Sequence, residues 1–156
     1  MARRDYFHDP EAPAVNSVVP SVVAAVVDER GWLLMIQRSD NGLWALPGGG
    51  HDIGEFIADT VAREVQEETG VEVAVVDLVG LYTNPHHVMG YDDGEVRQQF
   101  SIAFTARPIG GTVRTSDESP CVEWIDPARL DDLDIHPSMR LRIDHALARR
   151  AKPYIG

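Results

Sequence analysis

A chain of 156 residues, 44% hydrophobic and 25% charged, is long enough to bury one sizeable core and is composed like a globular protein. Its formal net charge of -11 argues against nucleic acid and anionic membrane as partners, because both reward a basic face. Its one cysteine, Cys121, excludes an internal disulfide; with no apolar segment after Arg3-Arg4 and no apolar run long enough to span a bilayer, the simplest setting is cytoplasmic.

Residues 1–16, with Pro10 and Pro13, read as an irregular segment, leaving 17–156 as a single domain. Val18 to Val27 is β-branched and apolar and is interrupted by Pro20, which predicts a strand whose early part is an edge or a bulge. The turn signal Asp28-Glu29-Arg30-Gly31 makes Trp32 to Gln37 the returning strand of a buried hairpin. An extended run, Trp44-Ala45-Leu46-Pro47, then enters Gly48-Gly49-Gly50, where close backbone approach is open to a polyanion.

A helix follows. At about 100° per residue, Ile57, Val61 and Val65 form its apolar stripe, with Ala58 and Ala62 widening it. Glu64 and Glu68 fall within roughly 20° of Ile57, at the margin of the buried arc, and Glu67 lies beside them. Like charges at this spacing repel by a few tenths of a kcal/mol per pair even on an exposed helix. Carboxylates crowded at a buried margin call for a cation, and hard oxygen ligands favour Mg²⁺, Mn²⁺ or Ca²⁺.

Downstream, Val71 to Tyr82 and Phe100 to Ala106 read as strands, separated by a loop over Asn84 to Gly94. Val122 to Ile125 gives a short strand, and Pro137 opens a carboxy-terminal amphipathic helix through Arg150. Leu141, Ile143 and Leu147 on that helix suit either its own core or a homodimer interface. Strands outnumber helices, which favours an α+β layered domain.

The spacing of the acidic segment resembles a known family. Gly49, five residues, Glu55, seven residues, Arg63-Glu64-Val65, one residue, Glu67-Glu68, one residue, Gly70-Val71 is similar to a complete Nudix box. The resemblance implies an α/β/α sandwich with a central mixed β-sheet and hydrolysis of a nucleoside diphosphate linked to another group. It also implies a divalent cofactor, Mg²⁺ with Mn²⁺ as a substitute. By the same resemblance Glu64 and Glu68 are the principal metal ligands, Glu67 completes the cluster, and the Gly48 carbonyl joins it. Arg63 is expected to pair with Glu67 or Glu55 and orient the acids, and Glu55 to balance charge.

The proton acceptor is expected on a box glutamate or on the loop Gly110 to Pro120, where Glu118 is the candidate; Glu95 is a weaker one. Arg97 is positioned to meet phosphate or base, and Trp44 or Tyr91 to stack on a purine, against the competing roles of core packing and loop anchoring. His86-His87 makes a poor metal pair, because adjacent side chains point apart. The substrate class is a small nucleotide: ADP-ribose or a nucleotide sugar first, a nucleoside triphosphate of the house-cleaning type second. A catalytically silent nucleotide-binding regulator is the reading from outside enzymology.

Overall fold

The computed structural model describes residues 3–156. In chain order it contains β1 (Arg3–Phe7), β2 (Ser17–Val18), β3 (Ser21–Val26), β4 (Leu33–Gln37), β5 (Trp44–Ala45), β6 (Gly48–Gly50), α1 (Ile57–Thr69) and β7 (Val71–Tyr82). Then come β8 (His87–Tyr91), β9 (Val96–Gln98), β10 (Ser101–Gly111), β11 (Cys121–Ile125), a 3₁₀ turn (Pro127–Asp132), α2 (Pro137–Ala148) and β12 (Tyr154–Ile155).

Strand alternation builds the layers. Along β3, Val22, Ala24 and Val26 join Val61 and Val65 of α1 in one buried cluster, while Val23 and Ala25 join Ile143 and Ala146 of α2 in another. β4 divides the same way, Leu34 and Ile36 on one side and Leu33 and Met35 on the other. Successive side chains of a strand point to opposite faces, so both helices are held by a sheet layer apolar on both sides. The five-stranded sheet runs β12-β7-β10-β3-β6 and is mixed: β3 is parallel to β10 and antiparallel to β6. This is the expected α+β sandwich. Smaller sheets, β11-β4-β5 and β1-β8-β9-β2, flank it.

Four expectations change, the last of them at the amino terminus. Val18 to Val27 and Trp32 to Gln37 do not zip into a hairpin: they meet only at the bridge Val27↔Leu33, because β10 and β6 already occupy both edges of β3. The stretch 84–94 is not all loop, since His87–Tyr91 forms β8. On α1 the buried face is Thr60, Val61, Val65 and Thr69, and Ala58 stands exposed. In α2, Ile143 is fully buried and Leu147 packs against the core, whereas Leu141 is exposed. No helix among the described residues is long and apolar enough to cross a membrane.

The amino-terminal segment, expected to be irregular, contributes β1, antiparallel to β8 in the register Arg3↔Tyr91 to Phe7↔His87. Its pairing rests on contacts invisible to a local reading. Phe7 packs edge-on against His87 and His136 at ring separations of 5.5 and 5.0 Å, and Asp5 Oδ1 is 3.1 Å from His87 Nε2. Burial alone would raise the Asp5 carboxyl; the His87 hydrogen bond and the charge of Arg3 outweigh it and bring the group down to about 2.

A carboxyl depressed in the folded state stabilises fully above its unfolded value and loses that contribution as pH falls through the folded one. Asp5 therefore supplies roughly 2 kcal/mol at neutral pH, lost between about pH 4 and pH 2. Urea unfolding should find Asp5→Asn weaker by about that amount at pH 7, with the gap to wild type closing in acid. A gap that is absent at pH 7, or equal at both pH values, would show that the charge does not hold β1.

Candidate active site

The site grows from the free edge of β6. Ala24 N–H donates to the Pro47 carbonyl and His51 N–H to the Pro20 carbonyl, each at 2.9 Å. Antiparallel rungs alternate between bonded and unbonded pairs, so Val23↔Gly48 and Ser21↔Gly50 are the unbonded ones, and the peptide groups of Gly48 and Gly50 turn away from β3. They turn toward α1. Gly48 N–H donates to Glu68 Oε2 at 3.2 Å, and the Gly50 carbonyl accepts from Arg63 Nη2 at 3.1 Å. The Gly48 carbonyl points the same way as its own N–H, so the backbone ligand expected there faces the acidic helix. Between these two, Gly49 presses on Glu64: a Cβ at this position would overlap the Glu64 carboxyl group.

Arg63 is the hub of the acidic cluster. Its Nε donates to Glu55 Oε1 at 2.5 Å, Nη2 to Glu55 Oε2 at 3.1 Å, Nη1 to Glu64 Oε1 at 2.8 Å and, more weakly, to Glu67 Oε2 at 3.4 Å. Asp52 lies 3.2 Å from Nη2. The Arg63 bond, followed by that of Thr60, brings the Glu55 carboxyl down to about 2. Thr60 is fully buried and links Glu55 to His51 Nδ1 through its hydroxyl. Arg63 thus pairs with Glu55, Glu64 and Glu67, and Glu55 with Arg63 and Thr60.

Glu68 is different. It is half-buried, accepts from Gly48 N–H, and contacts no cationic side chain among the described residues. Burial, then the charges of Glu64 and Glu118, push its carboxyl up to about 8 against the Gly48 bond and the more distant Arg38. Burial likewise raises Glu64 despite its bond to Arg63. Glu118 reaches this place from the loop before β11, whose Ser116 and Ser119 bond each other in both directions and whose Glu118 carbonyl accepts from Ser39 N–H at 3.1 Å. Glu68 and Glu118 line one cavity of about 320 Å³ together with Arg38 and Asp40.

A second cavity, about 160 Å³, joins Glu68 and Gly48 to Gly50 with Arg97, Tyr91, Gln99 and Arg142. Arg97 is held by Glu95 at 2.7 Å and lies over the Tyr91 ring at 4.6 Å, so a cation and an aromatic face arrive as one unit. Glu95 is thereby committed to Arg97 and Ser17. Trp44 packs against the second core cluster and does not line this cavity. His87 turns inward to Asp5 and Gln99 while His86 stacks on His8, so the adjacent histidines do point apart.

The box carboxylates are not gathered into a preformed set. Among the described residues no three acid, imidazole or thiol groups stand together as ready metal ligands: Glu64 is turned onto Arg63, Glu67 is 60% exposed, and Glu68 is on Gly48. The acids that line the first cavity nonetheless offer hard carboxylate oxygens, the donor type that suits a divalent cation, and a cation there would relieve the crowding of Glu64 and Glu118 on Glu68.

The NUDIX domain model matches residues 18–146. The chain belongs to the Nudix family. A MutT-like protein of Streptomyces ambofaciens is 41% identical over 121 residues, 78% of this chain and 71% of that protein. A Methanocaldococcus jannaschii protein named ADP-ribose pyrophosphatase is 32% identical over 114 residues, covering 71% of this chain and 64% of its own length. Among solved structures, the MutT protein from Methanosarcina mazei Go1 superposes with a TM-score of 0.64 at 26% identity, over 89% of this chain and 96% of that one.

Sequence reasoning missed Arg3, Arg38 and Arg142 around this Nudix site and met His87 only as a poor metal ligand. No spacing signal singles them out, since each comes from a different element and meets the others only through the sheet edges and α2. β1, which brings Arg3, lies outside the matched segment.

Proposed function

We propose that this Nudix pyrophosphohydrolase cleaves the pyrophosphate bond of a small nucleoside diphosphate derivative, ADP-ribose or a nucleotide sugar, with Mg²⁺ as cofactor and Mn²⁺ as its substitute. One observation carries the reading: Glu68 stands at the junction of two cavities, one shared with Glu118 and the other with the Tyr91–Arg97 pair. A nucleotide with its base against Tyr91 and its phosphates toward Gly48 to Gly50 places the scissile bond beside the acids.

A pyrophosphate resists water because its own oxygens repel the nucleophile. The bound divalent ion supplies charge neutralisation and a more acidic water. Glu64, Glu68 and the Gly48 carbonyl would hold it, with Glu67 swinging in from solvent. Arg63 fixes Glu64 so that its carboxylate is aimed before substrate arrives, which is the positioning share of catalysis. Glu118, exposed and lining the same cavity as Glu68, takes the proton of the attacking water.

The test is product analysis on a nucleotide panel with Mg²⁺ or Mn²⁺, with Glu118→Gln beside wild type. Sugar derivatives should release two monophosphates. Release of a monophosphate and pyrophosphate from a triphosphate alone would replace the proposal with the house-cleaning reading, and binding without hydrolysis would replace it with the regulator. A Glu118→Gln rate within about threefold of wild type would move the proton acceptor back to the box.

A further inference from the structure

In the wall of the second cavity stands a guanidinium with no ion-pair partner among the described residues. Arg142 of α2 is 7% exposed; its Nε donates to the Ser138 carbonyl at 3.1 Å, Nη1 to Ser101 Oγ at 2.8 Å and Nη2 to Ser138 Oγ at 2.8 Å. Every partner is neutral, and among the described residues no carboxylate pairs with it. A guanidinium has five N–H donors, so two remain for another ligand. Burying an unpaired charge is costly, and pairing with an anion is what removes that cost.

Arg3 lines the same cavity from β1. Its Nη2 is 3.2 Å from Asp5 Oδ2, and its Nε is buried without any hydrogen-bond partner. Asp5 is the carboxylate that faces both arginines, but Oδ2 is committed to Arg3 and Oδ1 to His87. Two like charges therefore share one enclosed space with spare donors and a saturated counter-ion. Burial and the Arg3 charge are among the causes that bring Arg142 down to about 10. Tyr82, whose ring centroid is 5.9 Å from the Arg142 guanidinium and whose hydroxyl is pushed by burial up to about 12, stays neutral at physiological pH, as does His136, pushed by burial down to about 4, so neither adds charge to the balance.

We propose that Arg142 and Arg3 form a phosphate-binding subsite in the substrate cavity that Glu68 also lines. The donors match the chemistry: arginine meets phosphate oxygens with its paired N–H groups, and no metal is required for that contact. The subsite rests on the reading of this cavity as the substrate site. It takes either a phosphoryl group of the substrate beyond the cleaved bond or free phosphate, and β1 supplies half of it from outside the segment matched by the family model.

Thermal unfolding in EDTA with inorganic phosphate tests it without turnover. Wild type and Glu68→Gln should both gain about 4 °C at ten times the dissociation constant, and Arg3→Gln clearly less. Arg142→Lys, which keeps the charge but not the fork of donors, should also lose most of the gain. No gain in wild type, or equal gains in wild type and Arg3→Gln, overturns the subsite.

The kinetic arm separates the sources. A substrate phosphoryl is indicated if Arg3→Gln raises KM roughly tenfold for substrates with a further phosphate while spending little of its effect on kcat, and spares those without one. An Arg3-dependent phosphate gain with no change in KM for any substrate assigns the subsite to free phosphate. Should the whole substrate panel prove inert while the Arg3-dependent gain persists, the proposed function fails and the subsite stands.

Discussion

Glu68→Gln should lower kcat by roughly 10²-fold or more while leaving the fold intact. The two side chains are nearly isosteric, and the amide oxygen can still accept from Gly48 N–H, so the local backbone bond survives. What disappears is the capacity for charge. In the absence of metal an ionised carboxyl is a burden here, because it is half-buried and crowded by Glu64 and Glu118, and with burial pushing it up to about 8 the group is largely protonated at neutral pH. The midpoint of thermal unfolding in EDTA should therefore stay level or rise in the variant.

With Mg²⁺ the order reverses, since only wild type has the carboxylate that couples ion binding to the folded state. Midpoints with and without Mg²⁺, measured beside kcat, check both halves. A variant as active as wild type removes Glu68 from the reaction. One that is inactive and also destabilised in EDTA would mean that the residue serves the fold.

The box was legible because its information is local. Helical phase places Glu64 and Glu68 at the edge of the buried arc from spacing alone, and the fully buried Val61 and Val65 confirm that phase. Gly70 closes the helix in the left-handed region, φ 78°, with its N–H on the Gln66 carbonyl. Strand pairing was less legible for the opposite reason. Asp28 does make the expected turn, its Oδ1 accepting from Arg30 and Trp32 N–H, but whether β3 and β4 pair is decided by β6 and β10. Nothing near residue 28 reports on those distant strands.

The same distinction separates the site residues. Arg63 and its carboxylates lie within one helix and the loop before it, and their pairing followed from sequence distance. Arg3, Arg38, His87 and Arg142 converge from β1, the end of β4, β8 and α2, and a polar residue in any of those places reads as surface. Glu118 was reachable because acids on a glycine- and serine-rich loop are few; that it faces Glu68 comes from the anchoring of its carbonyl to Ser39.

Gly49→Ala should lower kcat by about 10²-fold with little change in stability. Backbone strain is not the reason, since Gly49 has no positive φ. A methyl group here occupies the volume of the Glu64 carboxyl, and one of the two must move. The strand is pinned on both sides, by its register with β3 at Val22↔Gly49 and by the bonds of Gly48 to Glu68 and Gly50 to Arg63. The side chain is the softer element, so Glu64 yields and its 2.8 Å bond to Arg63 is lost or redirected.

Displacing a catalytic group by about 1 Å costs on the order of 10²-fold, whereas surface-level repacking costs stability little. If clearance is the cause, the two positions must couple. Glu64→Asp withdraws the carboxylate by one methylene and opens the space the methyl needs, so its penalty in the Gly49→Ala background should be smaller than in wild type. A double-mutant cycle in kcat that came out additive would show that the glycine and the glutamate act independently, and that this position is glycine for a reason other than clearance over Glu64.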